Sequence, residues 1–216
     1  LGLIGDIRAL DTLMQMYDGE TYPLIESDGA PHRFGAIIGG AAIGLAQIYR
    51  QHGNPEILET LTNRFLREIT RSDDVTTACT VQGLPYTNDR RVTPMLIQAV
   101  AMSSAWLRYC ALEALGVLGD PDGLPTLYSA VRDGDPLTLV WAAADALAFM
   151  RDSVAEQPLV DGLQRLESRA FQKDHLWYQA RAKMVRALGI IGTTRARLVL
   201  EQRFNMKDDD QQTVGA

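Results

Sequence analysis

The chain of 216 residues is 46% hydrophobic and 22% charged, and its formal net charge is -6. This composition is typical of a folded domain with a sizeable core and excludes a disordered chain. The acidic balance argues against duplex DNA as a partner, because phosphate affinity depends on an excess of Lys and Arg. The longest apolar run, residues 36–46, is too short to span a bilayer, and two cysteines do not make a disulfide scaffold. We therefore expect no nucleic-acid partner, no membrane span and a cytoplasmic location.

A repeat of helical pairs dominates the sequence. When residues 76–100 are aligned with residues 107–131, Cys79 falls on Cys110, and several Leu, Ala, Asp and Pro positions also coincide. In each unit a first helix with Ala and Leu at helical spacing ends at a Gly-Asp or Gly-Asn turn, and a second helix follows. No segment shows the alternation and hairpin turns of β-strands. The sequence therefore predicts pairs of antiparallel helices.

In chain order, the pattern predicts one unpaired second helix, five helix pairs and the start of a further helix. The unpaired helix covers residues 7–18, and a long loop covers residues 19–30. The pairs follow at residues 31–70, 73–103, 104–133, 136–168 and 173–207, and a further first helix begins at residue 208. A single pair cannot bury its own apolar face, so we expect the pairs to stack into a right-handed α-solenoid. We predict one array over residues 1–216, and a fragment of a longer array, because both ends fall inside a repeat.

The turn between the two helices of a pair has a recognisable chemistry. Gly119 suits the left-handed position that ends a helix, and Asp120 can cap the helix that follows. Pro121 then stands in the first turn, where its missing N–H costs nothing.

These residues lie within a stretch that resembles a known family. Ala111–Pro121, Asp133–Pro136 and Ala142–Leu147 resemble HEAT-like repeats, in the short variety named after phycobilisome lyases. The family pattern has an Arg early in the first helix, which Arg108 and Arg181 match. The resemblance implies an all-α solenoid that binds other proteins. A minority of such proteins attach or detach bilin pigments, and some related helical arrays act on alkylated DNA.

The predicted second helices carry polar side chains at equivalent positions. By resemblance, second helices line the concave face of the stack, where an amide can donate to and accept from the backbone of a bound peptide. This column consists of Gln15, Asn63, Gln98, Ser129 and Gln202, with Gly162 breaking the series. A neighbouring column of mixed charge consists of Arg8, Glu56, Arg91, Asp122, Ala155 and Arg195. We predict that the first column, with Arg91 and Arg195, binds a partner. The alternative is that these are ordinary solvated helix residues.

No catalytic, metal or cofactor site is predicted. His32, His52 and His175 do not share a metal-ligand spacing. Cys79 and Cys110 are equivalent residues one repeat apart, and the sequence allows either two small core residues or a shared metal or bilin thioether site.

Together these patterns favour a non-catalytic scaffold or adaptor. Its partner would be another protein, such as an extended peptide segment, bound on the concave helix face. One alternative, from the resemblance, is a bilin lyase or chaperone-type subunit acting on a phycobiliprotein. Another is a DNA glycosylase of the helical-repeat type, against which the acidic charge argues.

Overall fold

In the computed structural model, the chain is described at residues 5–18, 31–71, 74–168 and 175–202. The helices are α1 (Leu10–Asp18), α2 (Pro31–His52), α3 (Pro55–Arg71), α4 (Asp74–Gly83), α5 (Thr93–Val100), α6 (Ala105–Leu118), α7 (Leu124–Asp133), α8 (Leu137–Met150), α9 (Glu156–Ser168), α10 (His175–Ile191) and α11 (194–202). Within those described ranges no residue is in a β-strand, and the predicted all-α class is confirmed. The loop predicted at residues 19–30 and the helix predicted from residue 208 lie outside the described residues.

The chain divides into two compact units, Leu1–Gly123 (unit 1) and Leu124–Ala216 (unit 2). In unit 1, the first helices α2, α4 and α6 pack in that order, and α3 and α5 pack against them. In unit 2, α8 packs against α7 and α10, while α9 contacts the same two helices. These packed helices are consistent with the helix pairs of the predicted HEAT-like solenoid, and the boundary between the units falls between α6 and α7. One array over the whole chain stays a prediction.

Small residues allow the helices of neighbouring pairs to approach closely. The first helices contribute buried alanines, and the second helices contribute leucines such as Leu61 and Leu96, which are fully buried. A Cβ added at Gly162 of α9 would lie 2.6 Å from the carbonyl oxygen of Val131 in α7. Because real Cβ atoms do not approach that closely, only glycine permits this contact between α7 and α9.

A buried polar network joins α1, α3 and α4 in unit 1. The Tyr17 hydroxyl donates to Thr80 Oγ1 at 3.2 Å, and the Thr80 hydroxyl donates to Glu68 Oε2 at 2.8 Å. Arg64 forms an ion pair with Glu68, and its guanidinium lies 4.4 Å from the centre of the Tyr17 ring. Burial is the largest of the causes that raise the pKa of Tyr17 above its ordinary value, so this hydroxyl stays a donor. No local sequence pattern predicted this network.

Residues in the left-handed backbone conformation, with positive φ, lie at the ends of the first helices. Where a glycine occupies this position, as at Gly119, φ is 69°, and the predicted turn at Gly119-Asp120 is confirmed. Asn88 and Arg151 take the same conformation with φ of 54° each. The pair made by α8 and α9 therefore turns without the Gly-Asp signature that marks other turns in the sequence.

Candidate partner-binding surface

A capping side chain begins each described second helix and defines the register of its repeat. Asp89 and Asp152 each accept the backbone N–H two residues ahead, at 2.9 Å and 3.1 Å. Thr193 accepts the N–H of Ala196 at 3.0 Å instead. The equivalent capping residues, called the turn caps below, are Asp6, Asn54, Asp89, Asp120, Asp152 and Thr193.

Counting from the turn caps corrects the predicted alignment in one repeat. The sequence alignment placed Gly162 and Ala155 in the two polar columns of this repeat. Its turn cap is Asp152, so the equivalent residues are Asp161 and Val154. In this repeat Arg151, not glycine, takes the left-handed turn position, so the Gly-Asp signature is missing there. Gly162 faces the neighbouring helix, and the polar column continues without a break.

The corrected column is the ninth residue after each turn cap, and we call it the position-nine row. In unit 1 it consists of Gln15, Asn63 and Gln98. In unit 2 it consists of Ser129, Asp161 and Gln202. Asp161 is half-buried and accepts a hydrogen bond from Gln157 Nε2 at 2.6 Å. The other five side chains are exposed, and no described residue hydrogen-bonds to them.

The two predicted arginines are already engaged within the fold. Arg91 donates from its Nη2 to Asp89 Oδ2 at 2.6 Å and to the Tyr49 hydroxyl at 2.8 Å. Arg195 donates to Gln157 Oε1 at 2.5 Å, and its Nε lies 3.3 Å from Glu156 Oε1. Both side chains remain more than half exposed. A partner would therefore meet arginines that also connect neighbouring repeats.

Three turn caps also accept a hydrogen bond from the preceding repeat, through the carboxylate oxygen Oδ2. Hydroxyl groups donate to Oδ2 of Asp89, Asp120 and Asp152 at 2.6, 2.5 and 2.6 Å. The donors are Tyr49, Thr93 and Tyr128. The sequence predicted the Asp120 cap but not these three hydroxyl contacts, which we call the cap ladder. The recurrence of Asp at four of the six turn caps was the available signal.

Electrostatics at the turns follow from these contacts. The Arg91 side chain, as a hydrogen-bond donor, holds the pKa of Asp89 well below its ordinary value. The Arg8 side chain likewise lowers the pKa of Asp6 to about 2. Both carboxylates are therefore ionised at neutral pH.

An open groove runs along α3 on the side of the position-nine row. Its volume is 660 Å³. We call it the α3 groove, and its lining consists of Asp18, Thr60, Asn63, Leu66, Arg67 and Thr70. The structure thus brings Asn63, one of the predicted residues, together with five residues that the sequence analysis did not select.

The cysteines do not resemble a reactive or ligating pair. Cys110 is buried, accepts a hydrogen bond from Gln82 Nε2 at 3.6 Å, and burial raises the pKa of its thiol to about 12. Metal binding and thioether formation use the thiolate, which this environment disfavours. The cavity beside Cys110 measures 210 Å³, below the roughly 300 Å³ at which ligand pockets begin. Among the described residues, no group of three His, Cys, Asp or Glu side chains could hold a metal ion.

The stacked helix pairs, their left-handed turns and their aspartate caps define an α-helical repeat protein. A family model of HEAT repeats matches residues 62–148 and, in a second placement, residues 93–170. The matches together cover half of the chain, so the chain belongs to the HEAT-repeat family. No curated protein matches the sequence. HEAT repeats commonly mediate contacts between proteins.

None of the described helices combines the length and the apolar character that crossing a bilayer requires.

Proposed function

We propose that this protein is a non-catalytic scaffold that binds another protein through the exposed side of its second helices. The position-nine row carries the proposal. Five of its six side chains are exposed and make no hydrogen bond with a described residue. An amide offers both donors and an acceptor, so it can pair with the N–H and the C=O of a bound backbone.

The spacing of stacked helices suits an extended chain. Packed helices lie about 8–10 Å apart, and an extended chain rises about 3.3 Å per residue. In unit 2, α7 packs against α9, so Ser129 and Asp161, which these two helices contribute to the position-nine row, would meet about every third residue of a bound segment. This regular match supports recognition of the backbone, with side-chain selectivity left to the surrounding residues.

The side chains of the position-nine row do not pack in the core, so core packing does not explain why they are polar. The leucines two positions earlier, such as Leu96 and Leu159, are fully buried. Gln98 and Ser129 point away from that apolar stripe and are exposed. Alanine at these positions therefore removes hydrogen-bonding capacity and leaves packing unchanged, which makes a clean test possible.

The test is an affinity pull-down from the native extract with three baits. The first is the native chain, the second carries Gln98→Ala and Gln202→Ala, and the third carries Gln47→Ala and Gln179→Ala on the first helices α2 and α10. We expect a protein that the native and third baits recover and the second bait loses by at least about tenfold, a difference of about 1.4 kcal/mol in binding free energy. The recovered protein is then purified and its Kd measured for all three baits. Equal Kd values, or recovery of the same proteins by all three baits, would contradict the proposal.

A further inference from the structure

We infer that the α3 groove docks an extended polypeptide segment in which an apolar side chain lies between a basic and an acidic residue. This inference rests on the proposed function and specifies the chemistry of the partner at one place in unit 1. The groove lies beside Asn63, a member of the position-nine row. A segment held there would continue the backbone pairing of that row.

The groove presents one apolar anchor point within a polar rim. Leu66 is 47% exposed, although it stands on a helix whose other large apolar residues, such as Phe65 and Leu61, are fully buried. The remaining lining residues are polar or charged. An isolated half-exposed leucine in a groove favours contact with one apolar side chain of a partner, while the rim fixes the position of the flanking residues.

The rim carries one charge of each sign. Asp18 and Arg67 are exposed, and neither side chain forms an ion pair with a described residue. The buried Arg64, one turn earlier on α3, is by contrast paired with Glu68. Charge complementarity therefore calls for a basic residue opposite Asp18 and an acidic residue opposite Arg67.

The same charges disfavour a nucleic-acid strand. A phosphate backbone needs several cationic contacts, and this groove offers Arg67 alone, opposed by the carboxylate of Asp18. The Thr60 hydroxyl and the Asn63 amide match peptide groups, since each can donate and accept. The Thr70 hydroxyl donates to the Arg67 carbonyl at 2.7 Å and can still accept a peptide N–H. A polypeptide with mixed charge is the ligand that uses all six lining residues.

The experiment is a selection of random twelve-residue peptides displayed on phage, with the full chain as bait. We expect enrichment of peptides in which an apolar residue lies between a basic and an acidic residue. A second bait, Asp18→Arg with Arg67→Asp, is expected to enrich the opposite charge order. A backbone contact without charge recognition would not produce this reversal.

The affinity of one selected peptide then separates the groove from the rest of the surface. By fluorescence anisotropy, Leu66→Ser is expected to raise its Kd about tenfold. Phe149→Ser, which replaces an exposed apolar residue on the first helix α8, is the matched control and is expected to leave Kd unchanged. Circular dichroism checks that each variant keeps its helical content.

The outcomes distinguish the inference from the proposed function. Peptides that lose affinity with Gln98→Ala but not with Leu66→Ser would overturn the inference and leave the scaffold proposal standing. Enrichment without charge order, or no enrichment over an empty bait, would also overturn the inference, and the pull-down would then decide the scaffold proposal separately. A reversed charge order in the second bait would support the groove even if the Gln98 and Gln202 substitutions left the pull-down unchanged.

Discussion

In the turn caps, one carboxylate can both cap its own helix and bind the preceding helix pair. Asp89 caps its own helix through the Arg91 N–H at 2.9 Å, and it also accepts the Tyr49 hydroxyl from the preceding helix pair at 2.6 Å. A cap alone contributes about 1 kcal/mol to stability. The additional contact connects the helix start to its neighbour, so the same residue stabilises both the local turn and the stack.

Asp89 should make the stability of unit 1 depend on pH. The pKa of Asp89 is lower in the folded state, chiefly because of the Arg91 side chain, so its contribution is fully present above about pH 5 and is lost progressively as the pH falls through about 4 towards the folded value. We expect Asp89→Asn to lower the free energy of unfolding at pH 7 by about 1–2 kcal/mol and to flatten the dependence between about pH 5 and pH 3.

Thermal and urea unfolding at several pH values measure this effect. Glu59→Gln, at an exposed position within α3, is the control and is expected to change stability little at any of these pH values. A pH dependence that survives Asp89→Asn unchanged would show that other carboxylates are responsible.

A larger loss of stability is expected when the buried Glu68 is replaced. Glu68→Ala would leave the Arg64 charge buried and uncompensated and would remove the acceptor of Thr80. We expect a loss of about 3–5 kcal/mol. The double variant Arg64→Met with Glu68→Leu should lose much less, because replacing both charges removes the desolvation cost of each.

Chemical unfolding of Arg64→Met, Glu68→Leu and the double variant that combines them completes a double-mutant cycle. Glu59→Ala, on the exposed side of the same helix, is the reference. If Glu68→Ala costs no more than Glu59→Ala, the network does not stabilise the unit.

Helix contacts in this protein depend on glycines at specific positions. Gly162 allows α9 to lie against the backbone of α7, whereas no described atom lies within 4 Å of a Cβ added at Gly189 in α10. The same substitution should therefore have opposite effects at the two sites. In an open helical position alanine is favoured, since glycine costs about 0.5–1 kcal/mol in a helix.

We expect Gly162→Ala to destabilise the chain by about 1–3 kcal/mol and Gly189→Ala to stabilise it by up to about 1 kcal/mol. Urea titrations followed by circular dichroism compare the two variants directly. Equal effects at the two glycines would contradict the close approach of α7 and α9.

The molecule as a whole consists of repeats that contact mainly their neighbours, and its described contacts separate into unit 1 and unit 2. In such arrays stability is close to a sum of local terms. A destabilising substitution should therefore increase local unfolding mainly in the unit that contains it, because proteins open locally in cooperative substructures.

Hydrogen exchange with mass spectrometry tests this. We expect Glu68→Ala to raise exchange in α1, α3 and α4, and Gly162→Ala to raise it in α7 and α9. The native chain measured in parallel provides the reference rates. Uniform acceleration across both units in either variant would indicate that the chain unfolds as one cooperative body.

The amino-acid sequence alone predicted the helix pairs, the capped turns and most of the position-nine row. These features depend on interactions between residues up to four apart, such as the spacing of Leu127 and Val131 or the cap at Asp120, so they can be read from adjacent residues. The exception was the repeat that turns at Arg151. There the local signature is missing, and the alignment slipped by one residue.

Only the tertiary structure decided what the polar residues contact. The cap ladder joins Tyr49 to Asp89 and Tyr128 to Asp152 across 40 and 24 residues of sequence, and the buried network joins Tyr17 to Thr80 across 63. The α3 groove likewise brings Asp18 to the side of α3, which begins at Pro55. Such contacts depend on how helices pack, and packing is set by the summed fit of many apolar side chains and has no short sequence pattern of its own.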